Sequence, residues 1–192
     1  MDTTLNGRTL PARRRLDVGA YYRMAEVGIL TRDDRVELID GEIIDMTPIG
    51  SAHAGKTNRL SRLVARAVAE GFALVSVQSP LRLDSYNEPE PDLMLLRPRA
   101  DDYQLSHPTA GDVLLLVEFA DSSLAYDRGI KLALYARHGV PEVWIVDIVN
   151  GVVEVFLEPG DSSFAVQEQW TDGVLTPRLI PAVAIDVKAL LA

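Results

Sequence analysis

Two short stretches, Leu93-Met94-Leu95-Leu96 and Val113-Leu114-Leu115-Leu116-Val117, are apolar at every position. A strand with one face in water alternates apolar and polar residues. Runs without alternation therefore belong to a sheet covered on both faces. Residues 143–148 form a third run, broken only by Asp147. The helices needed to cover the sheet are visible in the periodicity. Leu60, Leu63, Val64 and Ala67 form one stripe of a helix predicted over about 55–70, which Gly71 stops. A second helix is predicted over 127–138, closed by Gly139 and Pro141.

Shorter signals fill in the rest. Tyr21, Met24, Ala25 and Val27 predict an N-terminal helix over 17–28. Asp40-Gly41 joins two strand-like segments as a type I′ hairpin. Short strands are expected at 72–77 and 81–83, a polar loop with two prolines at 97–112, and a hairpin turn at Asn150-Gly151 leading into 152–157. From Phe164 onward a strand or two and a short terminal helix are expected. Residues 1–15 read as a flexible, Arg-containing arm, and 16–192 as a single domain.

Charge and composition narrow the chemistry. With no cysteine, disulfides, thiolate zinc sites, iron–sulfur clusters and cysteine nucleophiles are excluded. His53, His107 and His138 lie far apart, which argues for a hard, oxygen-bound cation over a soft transition metal. No apolar run approaches the roughly 18 residues that span a bilayer, and the four arginines of the arm precede no apolar signal region. A soluble, cytoplasmic protein without a membrane partner is expected. The net charge of −9 means that nucleic-acid binding requires a local basic patch.

That patch exists. Lys56, Arg59, Arg62 and Arg66 fall in a stretch from Ser51 to Ala69 without one acidic residue, where a phosphate backbone would lie. The same stretch begins with Gly50-Ser51-Ala52-His53-Ala54-Gly55-Lys56-Thr57, which satisfies the phosphate-loop pattern GxxxxGK[ST]. The strand before it, however, is half of an Asp-Gly hairpin, not a buried parallel strand. A glycine-flanked helix start is the plainer reading, a phosphate-loop nucleotide hydrolase is the lesser alternative, and no nucleotide cofactor is expected.

A carboxylate stands at the mouth of each apolar run: Asp92 before Leu93, Glu118 after Val117. If the two strands pair antiparallel, both carboxylates reach the same edge of the sheet. There they repel, unless they are solvated strand ends that never meet or a cation binds between them. Mg²⁺, with water and the Phe119 carbonyl completing its shell, suits such a pair. At helical spacing Asp127, Lys131, Tyr135 and His138 share a face. Lys131 is then either the surface partner of Asp127 or a cation aimed at the carboxylates.

Several segments together carry a resemblance: Arg35-Val36-Glu37-Leu38-Ile39-Asp40-Gly41-Glu42-Ile43, Glu88-Pro89-Glu90-Pro91-Asp92, Val117-Glu118-Phe119-Ala120-Asp121-Ser122-Ser123, and the block from Tyr126-Asp127-Arg128-Gly129-Ile130-Lys131 to Trp144-Ile145-Val146-Asp147. The chain resembles the Uma family, a branch of the PD-(D/E)xK restriction-endonuclease-like superfamily. The resemblance implies an αβββαβ core with a mixed sheet flanked by helices. The N-terminal helix and hairpin and a C-terminal β extension are added to that core. It also implies metal-dependent hydrolysis of DNA phosphodiester bonds with Mg²⁺ or Mn²⁺, and it suits a homodimer. Asp92 and Glu118 match the metal-binding acidic residues. The superfamily lysine, due two positions after Glu118, is replaced by Ala120, and in this family it lies on the following helix, which points to Lys131. Glu37 matches an early glutamate of the site, and His53, Asp127 and Tyr135 are accessory candidates. The alternative from another class is a catalytically inactive module that binds nucleic acid or protein on the same fold.

Overall fold

The computed structural model describes residues 13–192 together with two short paired strands, β1 (Thr4–Leu5) and β2 (Arg8–Thr9). Most of the expected arm over 1–15 thus lies outside the described residues. The chain forms two compact units, Met1–Met46 with Asp84–Glu88, and Thr47–Leu83 with Pro89–Ala192.

In the first unit, α1 (Val18–Glu26) starts where the Asp17 carboxylate accepts a hydrogen bond from the Ala20 N–H. The strands β3 (Val36–Ile39) and β4 (Glu42–Asp45) pair antiparallel around Asp40 and Gly41, both at positive φ. Gly41 is required twice over. A Cβ there would stand 2.6 Å from the Arg15 Cβ, and the backbone is left-handed. Segment 84–88 seals the hairpin: Leu38 and Glu88 form a bridge, and the Asn87 side-chain oxygen accepts from the Asp40 N–H at 2.7 Å.

The second unit carries the sheet. It opens with α2 (Ser51–Ala69), followed by β5 (Leu74–Val77), β6 (Leu93–Leu96) and β7 (Val113–Ala120). A continuous helical stretch comes next: α3 (Leu124–Tyr126), a single π-turn over Asp127–Lys131, and α4 (Leu132–Arg137). Then come β8 (Glu142–Asp147), β9 (Val152–Pro159), β10 (Phe164–Trp170), β11 (Val174–Leu175), β12 (Ile185–Asp186) and α5 (Val187–Leu191). The six-stranded sheet has the order β10-β9-β8-β7-β6-β5. Only β7 and β8 are parallel, joined by the α3–α4 crossover, so the sheet is mixed and its heart is the expected αβββαβ arrangement.

The unbroken apolar runs behave as their composition requires. Every residue of β6, β7 and β8 is buried. One face packs Leu93, Leu95, Val117 and Trp144 against Leu60, Val64 and Ala67 of α2 and Leu190 of α5. The other packs Met94, Leu116, Val143 and Ile145 against Tyr135 of α4.

Two expectations give way, and the lesser alternative goes with them. Residues 81–83 form no strand; the Leu81 and Arg82 amides donate to the carbonyls of Pro89 and Pro108, loop partners invisible to a local pattern. Helix α2 begins at Ser51, a full turn before the predicted start, because the glycines of its first turn lower propensity without blocking the helix. That early start also removes the phosphate loop. Residues 51–57 are helical, and the Thr57 hydroxyl donates to the His53 carbonyl within the helix, so no loop of backbone amides is left to cradle phosphates. Among the described residues, no helix is long and apolar enough to cross a membrane.

Candidate active site

The antiparallel register of β6 and β7 sets Leu93 opposite Val117. Asp92 and Glu118, one step beyond in each strand, therefore meet at the same edge. They are locked reciprocally through the backbone. The Asp92 N–H donates to Glu118 Oε2 at 3.2 Å, and the Phe119 N–H donates to Asp92 Oδ2 at 2.8 Å. Each carboxylate is thus oriented by the strand that carries the other. On the β5 side, the Gln78 N–H donates to the Asp92 carbonyl, and Gln78 holds a positive φ that a non-glycine residue rarely adopts.

Three further side chains converge on this pair. His53, in the first turn of α2, sets Nε2 2.8 Å from Asp92 Oδ1, and its ring packs on Phe119 with centroids 5.9 Å apart. The Tyr135 hydroxyl donates to Glu118 Oε1 at 2.6 Å, and the Lys131 ammonium lies 2.9 Å from the same oxygen. Asp127 is buried one turn before Lys131 and accepts from the Ser123 hydroxyl at 2.6 Å.

Asp127, Lys131 and Tyr135 share the inward face that their spacing of four predicts, and the chain passes through the π-turn between the first two. An i→i+5 turn inserts an extra residue into the helical phase, and such turns recur at functional sites. His138, expected on the same face, instead ends α4 with Nδ1 2.8 Å from the Leu134 carbonyl. Glu37 belongs to the first unit, where it is buried on β3 opposite Ile44.

The electrostatics are those of a centre rich in negative charge. Burial pushes the Glu118 carboxyl up to about 8; Lys131 pulls it down, Asp92 and Asp127 push it up, and the Tyr135 hydroxyl pulls it down. Asp92, Glu118 and Asp127 together outnumber the one lysine. A divalent cation would relieve this imbalance. The donors fit a hard ion: the four carboxylate oxygens of Asp92 and Glu118 each accept two bonds at most, and the contacts above leave part of that capacity. Among the described residues no three His, Asp or Glu side chains form a ready-made metal cage.

The basic stripe of α2 has a different fate. The Lys56 ammonium donates to the Leu191 carbonyl and Arg59 donates to the Ala189 carbonyl at 3.0 Å, so both cap the carboxyl end of α5. Arg66 pairs with Glu70 along the helix at 2.8 Å, and Arg62 is exposed. Sequence reasoning also passed over Glu154, an acid inside the apolar strand Val152-Val153-Glu154-Val155-Phe156-Leu157. A lone carboxylate in a buried strand is the signal that could have found it.

Comparison with known proteins agrees with this architecture. The family model described as Uma2, putative restriction endonuclease, matches residues 18–188. Among solved structures, the chain is similar to a putative nuclease belonging to DUF820 from Anabaena variabilis ATCC 29413. The TM-score is 0.72 at 14% identity, covering 92% of this chain and 97% of that one. Among curated proteins no relative matches.

Proposed function

The chain belongs to the Uma2 family of putative restriction endonucleases, and from that premise we propose that it is a metal-dependent endonuclease hydrolysing DNA phosphodiester bonds at Asp92, Glu118 and Lys131. The observation that carries this reading is the convergence of two buried, mutually oriented carboxylates with one buried ammonium at the end of adjoining strands.

Asp92 and Glu118 hold Mg²⁺ or Mn²⁺ in this mechanism. When bound, the ion supplies Lewis-acid polarisation of the phosphate and a more acidic water. Asp92 is held in place by its Phe119 N–H and His53 bonds, so its carboxylate orientation does not depend on substrate. Lys131 provides a fixed positive charge beside the reacting phosphate, where negative charge grows as the phosphorus becomes five-coordinate. Tyr135 holds Glu118 by its inner oxygen, leaving Oε2 toward Asp92. Cutting both strands of a duplex takes two such centres, which a homodimer would supply. Because Lys56 and Arg59 are engaged by α5, the DNA backbone is assigned to the exposed Arg62 and Arg66 on the outer face of α2.

The test is incubation of purified protein with supercoiled plasmid and Mg²⁺ or Mn²⁺, with and without chelator, beside Asp92→Ala. Nicking or linearisation that needs the metal and Asp92 supports the reading. Cleavage that persists in Asp92→Ala marks a contaminant. No cleavage under any condition replaces the reading with a non-catalytic binding module.

A further inference from the structure

The π-turn is attached to the sheet at two points, and only one of them lies at the carboxylate centre. By register Glu118 of β7 stands opposite Ile145 of β8, and Ile145 opposite Glu154 of β9. Opposed residues project to the same face, so Glu118 and Glu154 occupy one row, two strand spacings or about 9–10 Å apart. Two cations of the π-turn reach the two ends of that row. Lys131 Nζ lies 2.9 Å from Glu118 Oε1, and Arg128 Nε lies 2.7 Å from Glu154 Oε2. The Arg128 fork also reaches Asp147 Oδ2 on β8 at 3.3 Å.

This second attachment is built firmly. The Asp147 and Glu154 side chains are 1% and 2% exposed. The Asn150 backbone and side-chain N–H groups donate to Asp147, and the Gln169 amide donates to Glu154. Two carboxylates buried this deeply are costly without a cation, so the guanidinium is held in place. A π-turn, in contrast, is a weak element by itself. Its relaxation to α geometry would shift the phase of all that follows by one residue, roughly 100°.

We propose that Arg128 is a positioning residue: by fastening the π-turn to Asp147 and Glu154, it sets the place of the Lys131 ammonium against Glu118. The effect on turnover rests on the nuclease reading above; the effect on Lys131 itself does not.

The experiment therefore has two arms, using Arg128→Gln and Arg128→Lys in the full chain. In the first, without DNA, amines are labelled with acetic anhydride and followed by mass spectrometry. Arg128→Gln is expected to raise labelling of Lys131 severalfold while Lys188 is unchanged, with Arg128→Lys between it and the native protein. An unchanged Lys131 rate overturns the proposal. In the second arm, plasmid cleavage by Arg128→Gln is expected to lose about 10²-fold in kcat with KM unchanged, the scale of a small misplacement. Made in a Lys131→Met background, the same change is expected to cost nothing further; an undiminished loss there overturns the proposal, because Arg128 would then act independently of Lys131. If the native protein cuts no DNA, the nuclease reading falls and the labelling arm alone decides the positioning role. Should Arg128→Gln fail to fold, Glu154→Gln, which weakens the shorter of the two guanidinium contacts, is read in its place with the same expected direction.

Discussion

The Lys131 ammonium lies 2.9 Å from Glu118 Oε1, and neither side chain is more than 6% exposed. Ala120, two positions after Glu118 on β7, is fully buried on the same face as Glu118 and carries no charge. The cation instead arrives from the crossover helix. An ion pair this deeply buried has two consequences, one for charge stabilisation and one for the proton balance of Glu118.

Lys131→Met keeps the aliphatic stem and removes the charge. On the proposed mechanism turnover is expected to fall by about 10²–10³-fold, the usual cost of losing one preorganised electrostatic donor. Glu118, left without its cation, should hold its proton more tightly, so its titration should move further to alkaline pH. Turnover unchanged in this variant would remove Lys131 from the mechanism.

The Glu118 carboxyl, raised to about 8 from an ordinary 4.5, makes stability depend on pH. Between those values the folded protein binds the proton and the unfolded chain does not. Stability is therefore full below about 4.5 and declines as pH rises through 8. Chemical denaturation in chelator is expected to show this fall, on the order of a few kcal/mol, and Glu118→Gln should remove its upper part. Burial raises Glu142 as well, so a shallower slope should remain in the variant. The cation displaces the same proton, so Mg²⁺ should raise Tm more at pH 8.5 than at pH 6.

Tyr135→Phe removes the 2.6 Å bond to Glu118 Oε1, one of the interactions that lowers its pKa. The alkaline shift of the Mg²⁺ binding profile is the readout, accompanied above pH 8, where Glu118 is ionised, by a loss of about 1.5–3 kcal/mol of stability, as for a hydrogen bond to a charged group. A profile that stays in place would mean that the hydroxyl orients Glu118 without tuning it.

Lys56→Ala tests the fate of the phosphate-loop pattern. Because the ammonium caps α5, the expected result is a stability loss of about 0.3–1 kcal/mol. No ATP or GTP binding is expected by calorimetry in either protein. Measurable nucleotide binding abolished by the substitution would restore the phosphate loop.

The sequence alone determined the sheet, and it set the condition, antiparallel pairing of two runs, under which its two acids would meet. Unbroken apolar runs required burial on both faces, and antiparallel pairing across one loop brought Asp92 and Glu118 to a common edge. These features rest on short-range rules, the period of two in a strand and the sign of a hairpin-like return. What tertiary structure alone decided is everything that depends on phase and on distant partners. The shared face of Asp127, Lys131 and Tyr135 was legible from helical spacing, but the π-turn, which leaves no mark in a periodicity of 3.6, was not, and neither was the turn of His138 to the Leu134 carbonyl. Lys56 and Arg59 look like a phosphate-binding stripe until α5, more than a hundred residues later in the chain, offers them its carbonyls. The row from Glu118 through Ile145 to Glu154 joins three strands. Register between strands is set by packing across the whole sheet, so no local reading of the chain could have placed Arg128 at its far end.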